Sequence, residues 1–246
     1  MNDKRSLGDF LARNPFERGW TDGLFYREKM RAIHAIAPAH LPAGARILEI
    51  GGGRSGMARK LYPEAQVTTI DIDPSLAPDH AADDASEFVL GDARALPFSN
   101  RGFDLVTMFD VLEHIEDDRQ AAAEALRVVK AGGWVLISTP FEHWRYPHYP
   151  FMRRFCPLDR ELMDEWGHVR RGYTKDGVAT LFGRRADLEA NFINPVTSFY
   201  HDVAFSHLPQ RARKLIYFAT AVPVLAAYAF HRPWTEGSEM ACAWQL

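Results

Sequence analysis

Glu49 stands two residues ahead of a glycine-rich turn, Gly51, Gly52, Gly53 and Gly56, and its charge is at odds with the usual guest of such a turn. Gly51, Gly53 and Gly56 keep the G-x-G-x-x-G spacing of dinucleotide sites, and Asp71 follows Gly51 by about 20 residues, where a ribose-binding acid belongs. A pyrophosphate beside Glu49 would be repelled, whereas an ammonium or sulfonium group would be attracted. Asp92, with Ala93 next to it, is a further acid that can accept from an exocyclic amine such as that of adenine. S-adenosylmethionine carries both cations, an adenine and a ribose, and no phosphate. An NAD(P)-dependent Rossmann oxidoreductase is the alternative; it uses the glycines and leaves Glu49 and Asp92 unexplained.

These residues need strands that end together. Short apolar runs occur at RILEI (46–50), VTTIDI (67–72), EFVLG (87–91), FDLVTMF (103–109) and WVLIST (134–139). The last two are nearly continuous, as strands covered on both faces require. Between them lies a helix with capping-box spacing from Asp117 to Gln120 and an apolar face of Ala122, Ala125, Leu126 and Val129, closed by KAGG. An earlier helix spans 21–37, capped by Thr21 or Asp22, with Tyr26, Met30, Ile33 and Ala37 on one face. Alternating strands and helices predict an α/β fold, a doubly wound, Rossmann-like, mostly parallel sheet with helices on both faces.

In order, E-x-G-x-G, IDID, GDA, LPF, FDLV, FDVLEHI and ALRVVKAGGWVLISTP resemble the class I S-adenosylmethionine-dependent methyltransferases, within them the type 11 group, over about residues 46–140. The resemblance implies the seven-stranded sheet of that family. It assigns Glu49 and the loop Gly51, Gly52 and Gly53 to the methyl donor, Asp71 and Ile72 to its ribose side, Asp92 and Ala93 to adenine, and Phe109 to the methionine part. Ser55 departs from the pattern, standing where the family has its third glycine. By the same resemblance the first helix folds over the donor, bringing Tyr26 and Arg31 toward the methionine carboxylate. A non-catalytic S-adenosylmethionine-binding protein is a further alternative.

The acceptor pocket of such a fold lies beyond the carboxyl ends of the fourth and fifth strands. There the sequence offers His114 as a base or as part of the methionine pocket, and His143 as the first choice of proton acceptor, for a hydroxyl on a small molecule. His168 or Tyr173 can line the acceptor, with Arg170 and Arg171 on an anionic group; the same residues can instead hydrogen-bond their loop to the domain. Tyr146 and His148 belong to the same cluster.

With 246 residues the chain reads as one domain with an N-terminal helical cover (1–40), a loop addition (140–173) and an apolar helical insert (203–234). A strand near Asn191–Tyr200 and a final strand in SEMACAWQL complete the expected sheet. Leu215 to Phe230 is uncharged and contains Pro223, which predicts a kinked pair of buried or covering helices. Peripheral membrane contact through 215–230, a homodimer interface and a cover for a hydrophobic or lipid-linked acceptor all fit this stretch. Net charge is −3, which disfavours nucleic acid. The two cysteines, Cys156 and Cys242, lack metal-ligand spacing, so no metal is expected, and they fit a reducing compartment. The N-terminus lacks the pattern of a secretory signal, and a cytoplasmic location is expected.

Overall fold

Along β3 (Arg46–Ile50) and β6 (Phe103–Phe109), alternate side chains enter two different cores. Ile47, Leu105 and Phe109 join one core; Leu48, Ile50, Val106 and Met108 join the other. The period of two sorts residues to opposite faces of the sheet, and each face is covered by helices. The first core packs under the helix Asp22–Ile36 through Met30, Ile33 and Ile36, and under the short helix Met57–Leu61. The second packs under Asp118–Val128, whose Ala121, Ala122 and Ala125 let it approach closely. The computed structural model describes residues 1–15, 22–53, 55–76, 86–235 and 237–246. Thr21, one of the two expected caps, lies outside the described residues.

With β4 (Gln66–Asp71), β5 (Ser86–Leu90), β7 (Val129–Pro140), β8 (Leu188–Phe192) and β9 (Glu239–Gln245), the sheet has seven strands in the order β5-β4-β3-β6-β7-β9-β8. All pairings from β5 to β7 are parallel, and β9 runs antiparallel to both neighbours. The expected doubly wound, mostly parallel sheet is therefore present. A small antiparallel pair, β1 (Asn2–Asp3) with β2 (His40–Leu41), ties down the N-terminal cover.

Three local expectations change. KAGG does not close a helix: the helix ends at Val128, and Lys130–Gly133 already belong to β7. Lys130 pairs with Asp104 of β6 at 2.8 Å, and a Cβ on Gly133 would fall 2.9 Å from the Asp104 carbonyl, so this stretch is fitted to β6. The strand expected at Asn191–Tyr200 stops at Phe192. Asn194 accepts from the N–H groups of Val196 and Thr197, and the chain turns into the helix Ser198–Ala204.

The third change concerns the insert. Instead of a kinked pair it is one helix, Gln210–Phe230, continuous through Pro223. One side is fastened to the domain along its length: Arg213 donates to the Ala204 carbonyl, Tyr200 donates to the Tyr217 carbonyl, and Val224 is buried against Leu24 and Tyr200. At its end Arg31 donates to the carbonyls of Tyr228 and His231, which a helix terminus otherwise leaves unpaired. The opposite side carries Leu215, Phe218, Val222 and Leu225, with Phe218 85% and Val222 80% exposed.

Candidate functional site

β3 and β6 are neighbours but lead to connections on opposite sides, which opens a crevice at their carboxyl ends. A cavity of about 590 Å³ lies there, bounded by Gly51 after β3, Asp71 and Ile72 after β4, Asp92 and Ala93 after β5, and Asp110 after β6. Gly51 has φ +64°, and a Cβ there would approach a Val111 methyl to 2.5 Å, so glycine is required by both backbone and space. Ile72 is 72% exposed at the rim. Asp71 accepts from the Asp73 N–H, and Asp92 accepts from the Arg94 N–H and guanidinium. The hydrogen bond from Arg94 holds the Asp92 carboxyl below its usual range.

Glu49 and Phe109 lie on the other face. The strand period that sends Ile50 toward the cavity sends Glu49 beneath the cover helix, where its Oε1 accepts from the Ala58 N–H at 2.9 Å. Glu49 thereby anchors the helix that follows the glycine turn, beside the underside of Gly52, where a Cβ would meet its Cγ at 2.9 Å. Gly53, at φ +50°, lies open at the turn, and Ser55 donates to the Gly52 carbonyl. Phe109 is buried in the core below the cover helix, and Asp110 and Val111 line the cavity in its place.

Asp110 also borders a second cavity of about 280 Å³, on the cover-helix side. Its walls are Phe25, Tyr26, Phe192, Ile193, His201 and Phe205, and its floor carries Lys29 and Glu239. Lys29 and Asp110 form an ion pair, with Ser138 donating to the other Asp110 oxygen at 2.6 Å. Burial alone would discharge both groups, but their mutual attraction outweighs it, raising the Lys29 pKa and lowering that of Asp110. Burial also raises Tyr26 and pushes Glu28, which accepts from the Asn194 N–H and side-chain amide, up to about 7. Burial likewise drives His201 down to about 4, so it faces this cavity as a neutral imidazole.

The candidate histidines separate. His114 lines the cavity of about 590 Å³, the donor cavity in the sense that the sequence resemblance would seat the methyl donor there, and His168 stands behind it with ring centroids 4.6 Å apart. Burial, then His114, brings His168 down to about 4, while burial and the nearby Asp110 raise Glu113 to about 8. His143, the first choice as proton acceptor, is exposed, stacks on Phe141 and lines a different cavity with Glu142, Arg145 and Lys175. Arg31 is occupied by the long helix and does not enter the donor cavity. Arg171 pairs with Asp159 within the loop itself, whereas Arg170 clamps the carbonyls of Leu112, Ile115 and Glu116 and so holds the loop to the domain. Tyr173 donates to Asp118, and the His148 N–H to Asp202, for the same purpose. Tyr146 is buried in the aromatic cluster of that loop.

Asp110, Lys29 and Glu113 were missed in the sequence. Asp110 had a legible cue, since it ends its strand as Asp71 does.

The sequence profile of a methyltransferase domain matches residues 23–187, which holds every wall of the donor cavity. The chain belongs to the methyltransferase-domain family. It is 32% identical to a 2-methyl-6-phytyl-1,4-hydroquinone methyltransferase of Synechocystis over 58% of this chain and 48% of that protein. It is 30% identical to a ubiquinone/menaquinone biosynthesis C-methyltransferase of Xylella fastidiosa over 61% of this chain and 58% of that protein. The chain thus spans about half the length of these curated relatives. The fold of an S-adenosylmethionine-dependent methyltransferase from Mesorhizobium loti superposes with a TM-score of 0.59 at 19% identity, covering 88% of this chain and 96% of that one. The methyltransferase sheet expected from the sequence is thus the sheet this domain has.

Proposed function

We propose that this methyltransferase-domain protein transfers a methyl group from S-adenosylmethionine to an apolar aromatic acceptor of the hydroquinone kind, reached from a membrane surface. The observation that carries the reading is the pair of cavities meeting at Asp110, one bounded by acids and a glycine turn, the other walled by aromatic side chains. Asp71 and Asp92 would hold the ribose and adenine, against Ile72 and Ala93. Glu49, Tyr26 and Lys29 lie on the side of the glycine turn that would face the amino-acid end. When bound, the donor supplies an electrophilic methyl on a sulfonium; the protein's part is to align the acceptor, exclude water and take up the acceptor's proton. His114 and His168 stand beside the donor cavity for that last task, and His143 is set aside from it. A hydroquinone offers either a hydroxyl oxygen or the ring carbon next to it, and the name of the Xylella fastidiosa relative, a C-methyltransferase, makes the carbon a candidate alongside the hydroxyl read from the sequence.

The long helix supports the membrane part. An ordinary surface helix turns polar residues to solvent, whereas here Leu215, Phe218, Val222 and Leu225 face outward, with Arg211 and Lys214 at one end. The helix has the length and hydropathy to cross a membrane, but its fastenings from Arg213 to His231 lay it along the domain. An in-plane interfacial helix matches this arrangement, with basic residues for anionic headgroups. Phe25 packs near this helix and also lines the acceptor cavity.

The test combines calorimetric titration with S-adenosylhomocysteine and NAD, and label transfer from the methyl donor to hydroquinones in vesicles of phosphatidylcholine and phosphatidylglycerol. Binding of S-adenosylhomocysteine and labelling of the vesicle-borne hydroquinone are expected. NAD binding without S-adenosylhomocysteine binding would overturn the reading.

A further inference from the structure

Glu113, His114 and His168 come together from two segments more than fifty residues apart, each offering one ligand atom within 4.8 Å of the other two. Glu113 is fully buried, yet only one of its carboxylate oxygens has a partner, Thr139 at 3.1 Å; the other, Oε1, has none. The Nδ1 of His168 is likewise buried without a partner. Orphaned polar atoms in such a place are costly unless something else satisfies them.

The frame around them is rigid. The Glu113 carbonyl accepts from the N–H groups of Val169 and Arg170, so the two segments are stitched together at the cluster itself. The Arg170 guanidinium adds bonds to the Leu112, Ile115 and Glu116 carbonyls. The Gly167 carbonyl lies 3.2 Å from His114 Nδ1, so Nδ1 donates and Nε2 keeps its lone pair. A carbonyl that fixes the tautomer of a ligand histidine is the usual support of a metal site.

From this geometry we infer that Glu113, His114 and His168 form a site for a divalent d-block cation, Zn²⁺ by ligand type, at the edge of the donor cavity. Two imidazoles and a carboxylate are a borderline donor set that suits zinc better than magnesium or calcium. Bonds of about 2.1 Å place tetrahedral ligand atoms about 3.4 Å apart, so the cluster closes by rotations of about an ångström. Three protein ligands leave a fourth position, and His114 turns that position toward the donor cavity. An acceptor hydroxyl held there would pass its proton to solvent, since both imidazoles would then be ligands and not bases; that role rests on the proposed methyl transfer, and the cation site itself does not.

Equilibrium dialysis of the full chain with Zn²⁺, and with Co²⁺ read by its visible absorption, tests the site. One ion per chain is expected, with affinity lowered roughly a hundredfold or more in Glu113→Gln and in His114→Ala. His114 is exposed, so His114→Ala keeps the test valid if Glu113→Gln fails to fold. His143→Ala, on an exposed histidine outside the cluster, should bind as the wild type does. No stoichiometric uptake, or uptake unchanged in His114→Ala, overturns the site. Parallel titration with S-adenosylhomocysteine separates the two readings: cofactor binding without ion uptake removes only the metal site, and ion uptake without cofactor binding removes only the methyl transfer.

Discussion

At the strand tips of the donor cavity the shaping hydrogen bonds join near neighbours in sequence: Glu49 with Ala58, Asp71 with Asp73, Asp92 with Arg94. On the acceptor side they reach across the chain. Glu28 accepts from Asn194, Arg31 donates to Tyr228, and Asp202 accepts from the N–H groups of His148 and Tyr149. Loop-closure entropy makes the second kind dependent on the rest of the fold, while the first kind forms within a single strand-turn unit. The strand-tip side of the donor site is therefore a local property of short motifs, while its wall of His114 and Val169 is joined through the Glu113 carbonyl across more than fifty residues. The acceptor side exists only once the cover helix, β8 and the insert have met.

The sharpest way to break this contrast is at the seam. Lys29→Met leaves Asp110, whose side chain is 34% exposed, without its cation and should cost about 2–3 kcal/mol in urea unfolding, less than a fully buried pair, with much of the loss recovered by adding Asp110→Asn. A comparable effect should appear as a pH dependence. Glu28 has its folded pKa raised from 4.5 to about 7, so its contribution is fully present below pH 4.5 and is lost as pH rises through 7. That amounts to about 3 kcal/mol, and Glu28→Gln should flatten this part of the stability profile.

Smaller effects should stay on their own side. Asp71→Ala should weaken S-adenosylhomocysteine binding by about 1.5–3 kcal/mol, the worth of a hydrogen bond to a charged group. Its unfolding free energy should move by less than about 1 kcal/mol. Phe218→Glu, on the outward face of the insert, should change stability by no more than about 0.5 kcal/mol. Its visible effect should be loss of co-sedimentation with anionic vesicles; undiminished co-sedimentation would remove the membrane role of this face.

What could be read in advance follows the same division. β3 and β6 have the boundaries their apolar runs predict. Asp71 and Asp92 were found because a strand tip fixes where they point. Phe109 was placed by resemblance alone, and the strand period buries it below the cover helix, in the core against which Tyr26 packs. Arg31 and His143 were misplaced for another reason, and for Arg170 and Arg171 the sequence left two readings open where the structure shows the structural one. A long polar side chain goes to whatever unpaired carbonyl or carboxylate the finished fold offers, and no local pattern records that. Pro223 was over-read for a similar cause: the helix around it is held from one side by Tyr200, Val224 and Arg31, and it continues through the proline.

Phe192, the last residue of β8, lies opposite Glu239, the first of β9. Everything between them, the turn at Asn194, both helices and the outward apolar face, leaves the sheet and returns to it at one point. The excursion is a cassette with a fixed socket, because the two strand ends that bound it face each other in the sheet. Descendants of this domain could change the surface they work on, or the guest they admit, by rewriting that cassette alone.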